Sequence, residues 1–367
     1  MLNNCWRAFA VAADPEPGLS LPAKKLAIVL FNLGGPDGPD AVKPFLRNLF
    51  RDPAIIGAPG PIREALAWLI STLRAKSARA NYAKMGGGSP LLPETLKQIA
   101  ALETELAKRL PDLEIRIWPA MRYWHPFTED VAAEVSAWAP DESVLLPLYP
   151  HFSSTTTGSS LGAWRKAGGP ETRTVCCYPL QTGFLDVHAE LIRESWMRAG
   201  QPENVRLLFS AHGLPEKVIA DGDPYQWQIE QTAAAIAERL PEFADWQVCY
   251  QSRVGPMKWI GPSTVEAIAA AGQQCKGIIL VPIAFVSEHI ETLVELDDEY
   301  AELAHEDGVP SYTRVPALGT RPGFISALGD IVESALASAP GLDSSSHKRL
   351  CPGTCQGCPN ARKGEAA

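Results

Sequence analysis

Apolar residues in this chain fall into short runs, each ending in a cluster of Gly, Pro, Ser or charged residues. The plainest is residues 278–285, IILVPIAF, continuous and rich in β-branched side chains. A run without alternation fits a strand buried on both faces of a parallel sheet. Beyond it, Leu293, Leu296, Tyr300 and Leu303 recur at α-helical spacing, while Glu288, Glu291, Glu295 and Glu299 follow another side of the same helix. Further strands are expected at residues 26–33, 114–121, 143–149 and 174–178, then at 205–211, 246–252 and 312–318. About 80 residues separate the first two of these. They hold an amphipathic helix near 61–78, the flexible turn GGGSP and a helix ending near Leu110.

The series repeats. FNLGGP matches FSAHGLP, VLLPLYPHFSST matches ILVPIAFVSEHI, and PLQTGFLDV matches ALGTRPGFI. The expected fold is therefore α/β. It has two similar Rossmann-like domains, each a four-stranded parallel sheet flanked by helices, with a cleft between them. The boundaries fall at 24–200 and 201–340, with a disordered Pro-containing leader at 1–23 and a cysteine-bearing tail at 341–367. In a doubly wound sheet the first and third strands are neighbours, and ligands bind in the crevice beyond their carboxyl ends. In the second domain those strands end at His212 and at the turn holding Ser287, Glu288, His289 and Glu291. An imidazole and a carboxylate far apart in sequence should meet there, although a Glu-rich helix side is by itself an ordinary solvated face.

Composition narrows the class. The chain has 367 residues, 46% of them hydrophobic, which suits two globular domains. A net charge of -9 and a pI near 5.4 argue against nucleic acid as a partner. No apolar run approaches the roughly 20 residues that span a bilayer. The short apolar piece behind Arg7 is too interrupted for a secretory signal. A cytoplasmic protein is expected, and its cysteines are then not a disulfide framework.

Taken together, LFNLGGP, GGGSP, MRYWHP, YPHFSSTTTGSS, LFSAHGLP, YQSRVGPMKWIGP and VPIAFVSEHIETLVELD resemble ferrochelatase, from about Leu26 to the C-terminus. That family inserts ferrous iron into protoporphyrin IX, with release of two protons, in the last step of protohaem synthesis. The resemblance implies that His212 and Glu291 form the inner metal and proton site, with ferrous iron as substrate. A neutral imidazole accepts protons near pH 7, and ferrous ion takes nitrogen and oxygen ligands. Glu295 and Glu299 would lead protons outward. Arg122, Tyr123, Ser252 and Trp259 would line the porphyrin pocket, and the long insertion in the first domain would form its lip. His289, His151 and His125 are expected to be supporting or structural. Two departures weaken the porphyrin side of the match, Leu33 where animal members have Met, and Ala83 and Lys84 where they have a basic pair.

The tail carries Cys351, Cys355 and Cys358 in the pattern C-x3-C-x2-C. A closed soft-metal site wants four thiolates, and the adjacent Cys176 and Cys177 offer the fourth. Some ferrochelatases hold a two-iron, two-sulfur cluster on three C-terminal cysteines and one from the body of the fold, which this arrangement resembles. Zinc, or an empty reduced tail, are the alternatives. Alternation along TVCCY would put Cys176 and Cys177 on opposite faces, Cys177 ligating and Cys176 packing. Two other functions compete: a non-catalytic tetrapyrrole or haem carrier, and a related chelatase using coproporphyrin or another metal. Residues 62–73, IREALAWLISTL, have an apolar face that would let the protein sit peripherally on the inner face of a membrane, although such a helix more often packs on its own domain. Oligomeric state is not legible.

Overall fold

The computed structural model describes residues 23–252 and 257–361; the leader and part of the motif YQSRVGPMKWIGP lie outside the described residues. Among the described residues, β1 (Lys24–Asn32), β2 (Leu113–Met121), β3 (Glu142–Pro147), β4 (Arg173–Val175) and β9 (Gly341–Asp343) form one sheet in the order β2-β1-β3-β4-β9. A second sheet has β5 (Val205–His212), β6 (Trp246–Gln251), β7 (Gly277–Pro282) and β8 (Tyr312–Arg314) in the order β6-β5-β7-β8. Every pairing is parallel. Residues 26–31 of β1 and all of β7 are buried, as their unbroken apolar runs require. In both sheets the first strand lies between the second and the third, which places a crevice at the carboxyl ends of β5 and β7.

Three differences from the expected pattern matter. The first sheet gains a fifth strand, because Gly341–Asp343 pairs with β4 and brings the tail beside Cys176 and Cys177. β4 stops at Val175, so strand alternation does not separate those cysteines; their sulfurs are 3.4 Å apart. The helix after β7 is a π-helix over Glu291–Glu299, continued as an α-helix over Tyr300–Glu306. Its i→i+5 turns hold more residues than an α-turn. It buries Thr292, Val294 and Leu296, the α-helix after it buries Tyr300 and Ala304, and Leu293 is left half-exposed.

The two sheets share one core, in which Leu26, Ile28 and Leu30 belong to the same packed cluster as Leu207, Phe209 and Val281. Helices exchanged between the halves connect them. Pro322–Leu336 packs on Leu91–Arg109 and Thr182–Arg198, and Thr182–Arg198 reaches over to β7 and β8. Arg109 adds Nη1 contacts of 2.6 Å to Asp330 and 2.9 Å to Glu333.

Between β1 and β2 lie helices Val42–Arg51, Gly60–Ala83 and Leu91–Arg109. The glycine turns that flank them pack on each other. Ser89 N donates to Pro36 O at 2.7 Å, and a Cβ on Gly35 would lie 2.4 Å from Ser89 Cβ. Helix Gly60–Ala83 buries its small residues Ala67, Ser71 and Ala75. It leaves Trp68 at 53% and Leu73 at 71% exposed, with Ile62 and Leu69 also outward, so its bulky apolar face is not packed on its own domain.

Candidate active site

His212 is the last residue of β5 and pairs in register with Gln251, the last of β6. Its Nδ1 lies 2.7 Å from Gly213 O; with that nitrogen protonated and donating, Nε2 is free to accept a proton. Nε2 is 4.0 Å from Glu291 Oε1, which enters from the first turn of the π-helix. Both side chains keep part of their surface open, 37% for His212 and 24% for Glu291, so they are reached from solvent rather than sealed in the interior. Trp259, bridged to Pro215, stands beside them with its ring centroid 6.4 Å from that of His212.

Glu291 is enclosed by groups that stabilise its charge. His289 Nε2 is 3.9 Å from Oε2, and Gln251 Nε2 donates to Oε2 at 3.3 Å. Burial works to raise its pKa, but the His212 charge and the contacts with His289 and Gln251 outweigh it and hold the carboxyl at about 2. Glu295, four residues on, is pushed the other way by burial and by the charge of Glu291, against hydrogen bonds from Ser252 and Tyr300. Ser252 Oγ donates to Glu295 Oε2 at 2.6 Å and Tyr300 OH to Oε1 at 2.7 Å. Ser252 reaches it because its φ is +64°, a left-handed conformation uncommon outside glycine. The two neighbouring carboxyls are thus shifted in opposite directions. Glu299 is exposed at the far end of the π-helix.

Arg122 and Tyr123 are drawn into a different network. Asp52, buried, accepts from Arg122 Nη2 at 2.7 Å, from Tyr123 OH at 2.8 Å and from Ser159 Oγ. The Tyr123 ring is 1% exposed and packs with Val42, Phe45, Leu46 and Tyr82, the last from the end of the lip helix. Tyr82 also lies within the field of Glu291, which adds to burial in keeping its hydroxyl protonated. Ile290 packs on the same cluster, so the Asp52 network borders the His212–Glu291 pair without merging with it. His151 is buried with Nε2 2.9 Å from Thr232 Oγ1, and burial pushes its pKa down to about 3; His125 is exposed.

Gln251, Tyr82 and Asp52 were not singled out in the sequence, and Tyr300 was read only as a packing position of its helix. For Gln251 a signal existed: parallel register places the end of β6 beside the end of β5, next to His212.

The tail cysteines gather against the body. Cys351, Cys355 and Cys358 form one buried cluster, and Gln228 Nε2 donates to Cys351 Sγ at 3.1 Å and to Cys177 Sγ at 3.5 Å. Cys358 is pulled down to about 6, first by a hydrogen bond from Cys351, against burial and with help from Arg349. The Cys177 thiol is pushed up by its contact with Cys176, by burial, and by Cys351 and Cys358. Among the described residues, no three His, Cys, Asp or Glu side chains stand in preformed metal-binding geometry. In number and kind, though, the donor set suits a four-sulfur site, with buried thiols and an amide N–H on two of the sulfurs.

The ferrochelatase family model matches residues 25–336. A ferrochelatase of Caulobacter vibrioides (strain NA1000 / CB15N) is 62% identical over 346 residues, covering 94% of this chain and 99% of that one. The ferrochelatase of Hyphomonas neptunium is 60% identical over 342 residues, 92% of this chain and 95% of its own. Among solved structures, CbiX, described as the terminal enzyme for biosynthesis of siroheme in denitrifying bacteria, aligns at a TM-score of 0.47 with 17% identity, covering 86% of this chain and all of that one. On the family match and these identities, the chain belongs to the ferrochelatase family.

Proposed function

We infer that this chain inserts ferrous iron into protoporphyrin IX, forming protohaem and releasing two protons. The observation that carries the reading is the His212–Glu291 pair, 4.0 Å apart and half-open at the crevice of the second sheet. Metallation exchanges two pyrrole N–H protons for a dication, so one face of the macrocycle needs a proton acceptor and an anion. His212 Nε2 takes the proton, and Glu291, ionised across the working pH range, stabilises the imidazolium and offers an oxygen to the incoming metal. Glu295, whose pKa is raised, accepts the proton next and passes it toward the exposed Glu299. Trp259 and Ser252 stand beside the pair, and Arg122, anchored on Asp52, reaches the pocket side while the buried Tyr123 packs behind it. Family membership favours the enzyme over a carrier.

The remaining assignments belong to the same proposal. The first domain, residues 24–200, supplies the lip and the second, 201–340, the metal and proton groups. Cys177, Cys351, Cys355 and Cys358 would hold a two-iron, two-sulfur cluster, which supplies one-electron redox capacity and a clamp on the tail. The exposed Ile62, Trp68, Leu69 and Leu73 support peripheral contact with a membrane; among the described residues no helix is long and apolar enough to cross one. A cytoplasmic location, on the inner face of that membrane, completes the proposal.

The test is anaerobic incubation with ferrous iron and either protoporphyrin or coproporphyrin, followed by visible absorbance. The wild-type chain is expected to metallate protoporphyrin. His212→Ala should bind porphyrin with wild-type affinity and lose roughly 10²–10⁴-fold in insertion rate, the usual worth of a general base. A variant that both binds and metallates at the wild-type rate would remove His212 from the chemistry.

A further inference from the structure

Glu291 and Glu295 both reach the same nitrogen. Gln251 Nε2 lies 3.3 Å from Glu291 Oε2 and 3.4 Å from Glu295 Oε2, so the two N–H bonds of one amide serve two carboxyls. The other end of the amide is fixed from the core. Its Oε1 accepts from Ser210 Oγ at 2.9 Å, and Ser210 Oγ is 3.1 Å from Thr264 Oγ1; Ser210 and Thr264 are fully buried. A flip of the amide would turn its oxygen on two carboxyls and its NH2 on a hydroxyl that now donates, so one orientation is strongly preferred. Gln251 is 1% exposed and sits in register beside His212. The other groups around the pair are His212 at the end of β5, His289 before the π-helix, Ser252 after β6, Tyr82 of the lip helix, Tyr225 and Tyr300. None of the hydrogen bonds among these joins both carboxyls.

We propose that Gln251 is a positioning residue for iron insertion, holding the Glu291 and Glu295 carboxyls as one unit beside His212. The inference rests on the proposed function and deepens it. Adjacent carboxylates on one helix side repel when both are charged, and a donor bound to each counteracts that drift. Ser252 and Tyr300 hold Glu295 alone, and His289 faces Glu291 alone.

The experiment compares Gln251→Met, which keeps length and loses the amide, in the wild-type and Glu295→Gln backgrounds. Iron insertion and porphyrin affinity are measured for all four proteins. Loss of two hydrogen bonds to charged or chargeable groups is expected to lower kcat roughly ten- to a hundredfold. Porphyrin Kd should stay within about twofold, since the amide faces the carboxyls and not the slot. In the Glu295→Gln background the same change should cost less than about threefold, because the unit is already broken. A kcat within about threefold of wild type, or an equal loss in both backgrounds, would overturn the proposal. Should Gln251→Met fail to fold, Ser210→Ala leaves the amide and removes its lock. It is expected to slow turnover in the wild-type background alone, and wild-type turnover there would refute the mechanism. If the wild-type chain itself inserts no iron, the functional reading fails, whereas an active wild type with an unaffected variant condemns only the role of Gln251.

Discussion

Arg314→Met tests how the π-helix that carries Glu291 is held. Arg314 ends the short strand β8, and its guanidinium spans both sides of the turn into the π-helix. Nε and Nη2 meet Asp297 at 2.7 and 2.5 Å, and Nη1 meets Glu288 at 2.6 Å. The cation is nearly buried at 12% exposure, whereas Asp297 is about a third exposed and Glu288 a quarter. A charge-assisted hydrogen bond contributes about 1.5–3 kcal/mol. The two bonds to Asp297 act as one bidentate contact, and solvent screening brings that contact to about 1 kcal/mol. With about 2 kcal/mol for Glu288, the substitution should cost about 3 kcal/mol. At about 2 °C per kcal/mol for a chain of this length, Tm at pH 7 falls by roughly 6 °C. The loss should also depend on pH. Burial raises the Glu288 pKa, but the Arg314 charge and hydrogen bonds from Thr292, Arg314 and Ala317 outweigh it, and the net direction is downward. A depressed folded-state value contributes stability that is complete above the unfolded carboxyl value and is lost as pH falls through the folded one. The gap in Tm between wild type and variant should therefore be constant from pH 8 to about 5 and narrow below about 4. Thermal melts followed by circular dichroism at each pH measure it. A gap under about 2 °C at pH 7, or one that widens in acid, would refute the clamp.

Two further outcomes follow from the other networks. Asp52→Asn removes the charge that Arg122 and Tyr123 share, and breaking a buried pair of this kind should cost about 3 kcal/mol, read as a shift in urea midpoint, with weaker porphyrin binding because Arg122 is released. Cys177→Ser should abolish bound iron and acid-labile sulfide while Cys176→Ser retains them, since Gln228 joins Cys177 and not Cys176 to Cys351; equal iron content in both variants would exclude Cys177 as the fourth ligand.

The strands were legible because a parallel sheet covered by helices on both faces leaves a continuous apolar run, as in β1 and β7. Topology made it legible that His212 would meet a carboxylate of the 287–291 turn, since strand order decides which carboxyl ends share a crevice; that the carboxylate is Glu291 rather than Glu288 came from the family resemblance. What escaped the sequence escaped for local reasons. Residues 174–178 look like one apolar strand, but β4 is only Arg173–Val175, and its partner at the edge is the Gly341–Asp343 segment, which has no strand-like pattern of its own. The polar, acidic composition of Glu291–Glu299 suits an α-helix, so nothing in it announces wider turns; they follow from what the helix must satisfy at once. Leu296 and Tyr300 bury toward β5 and β7, Glu291 and Glu295 meet the ends of β5 and β6, and Tyr312 OH donates to Leu296 O at 2.7 Å. The π-helix therefore carries its acidic residues to the strand ends and its apolar ones to the core, and the departure from regular helix falls beside the His212–Glu291 pair.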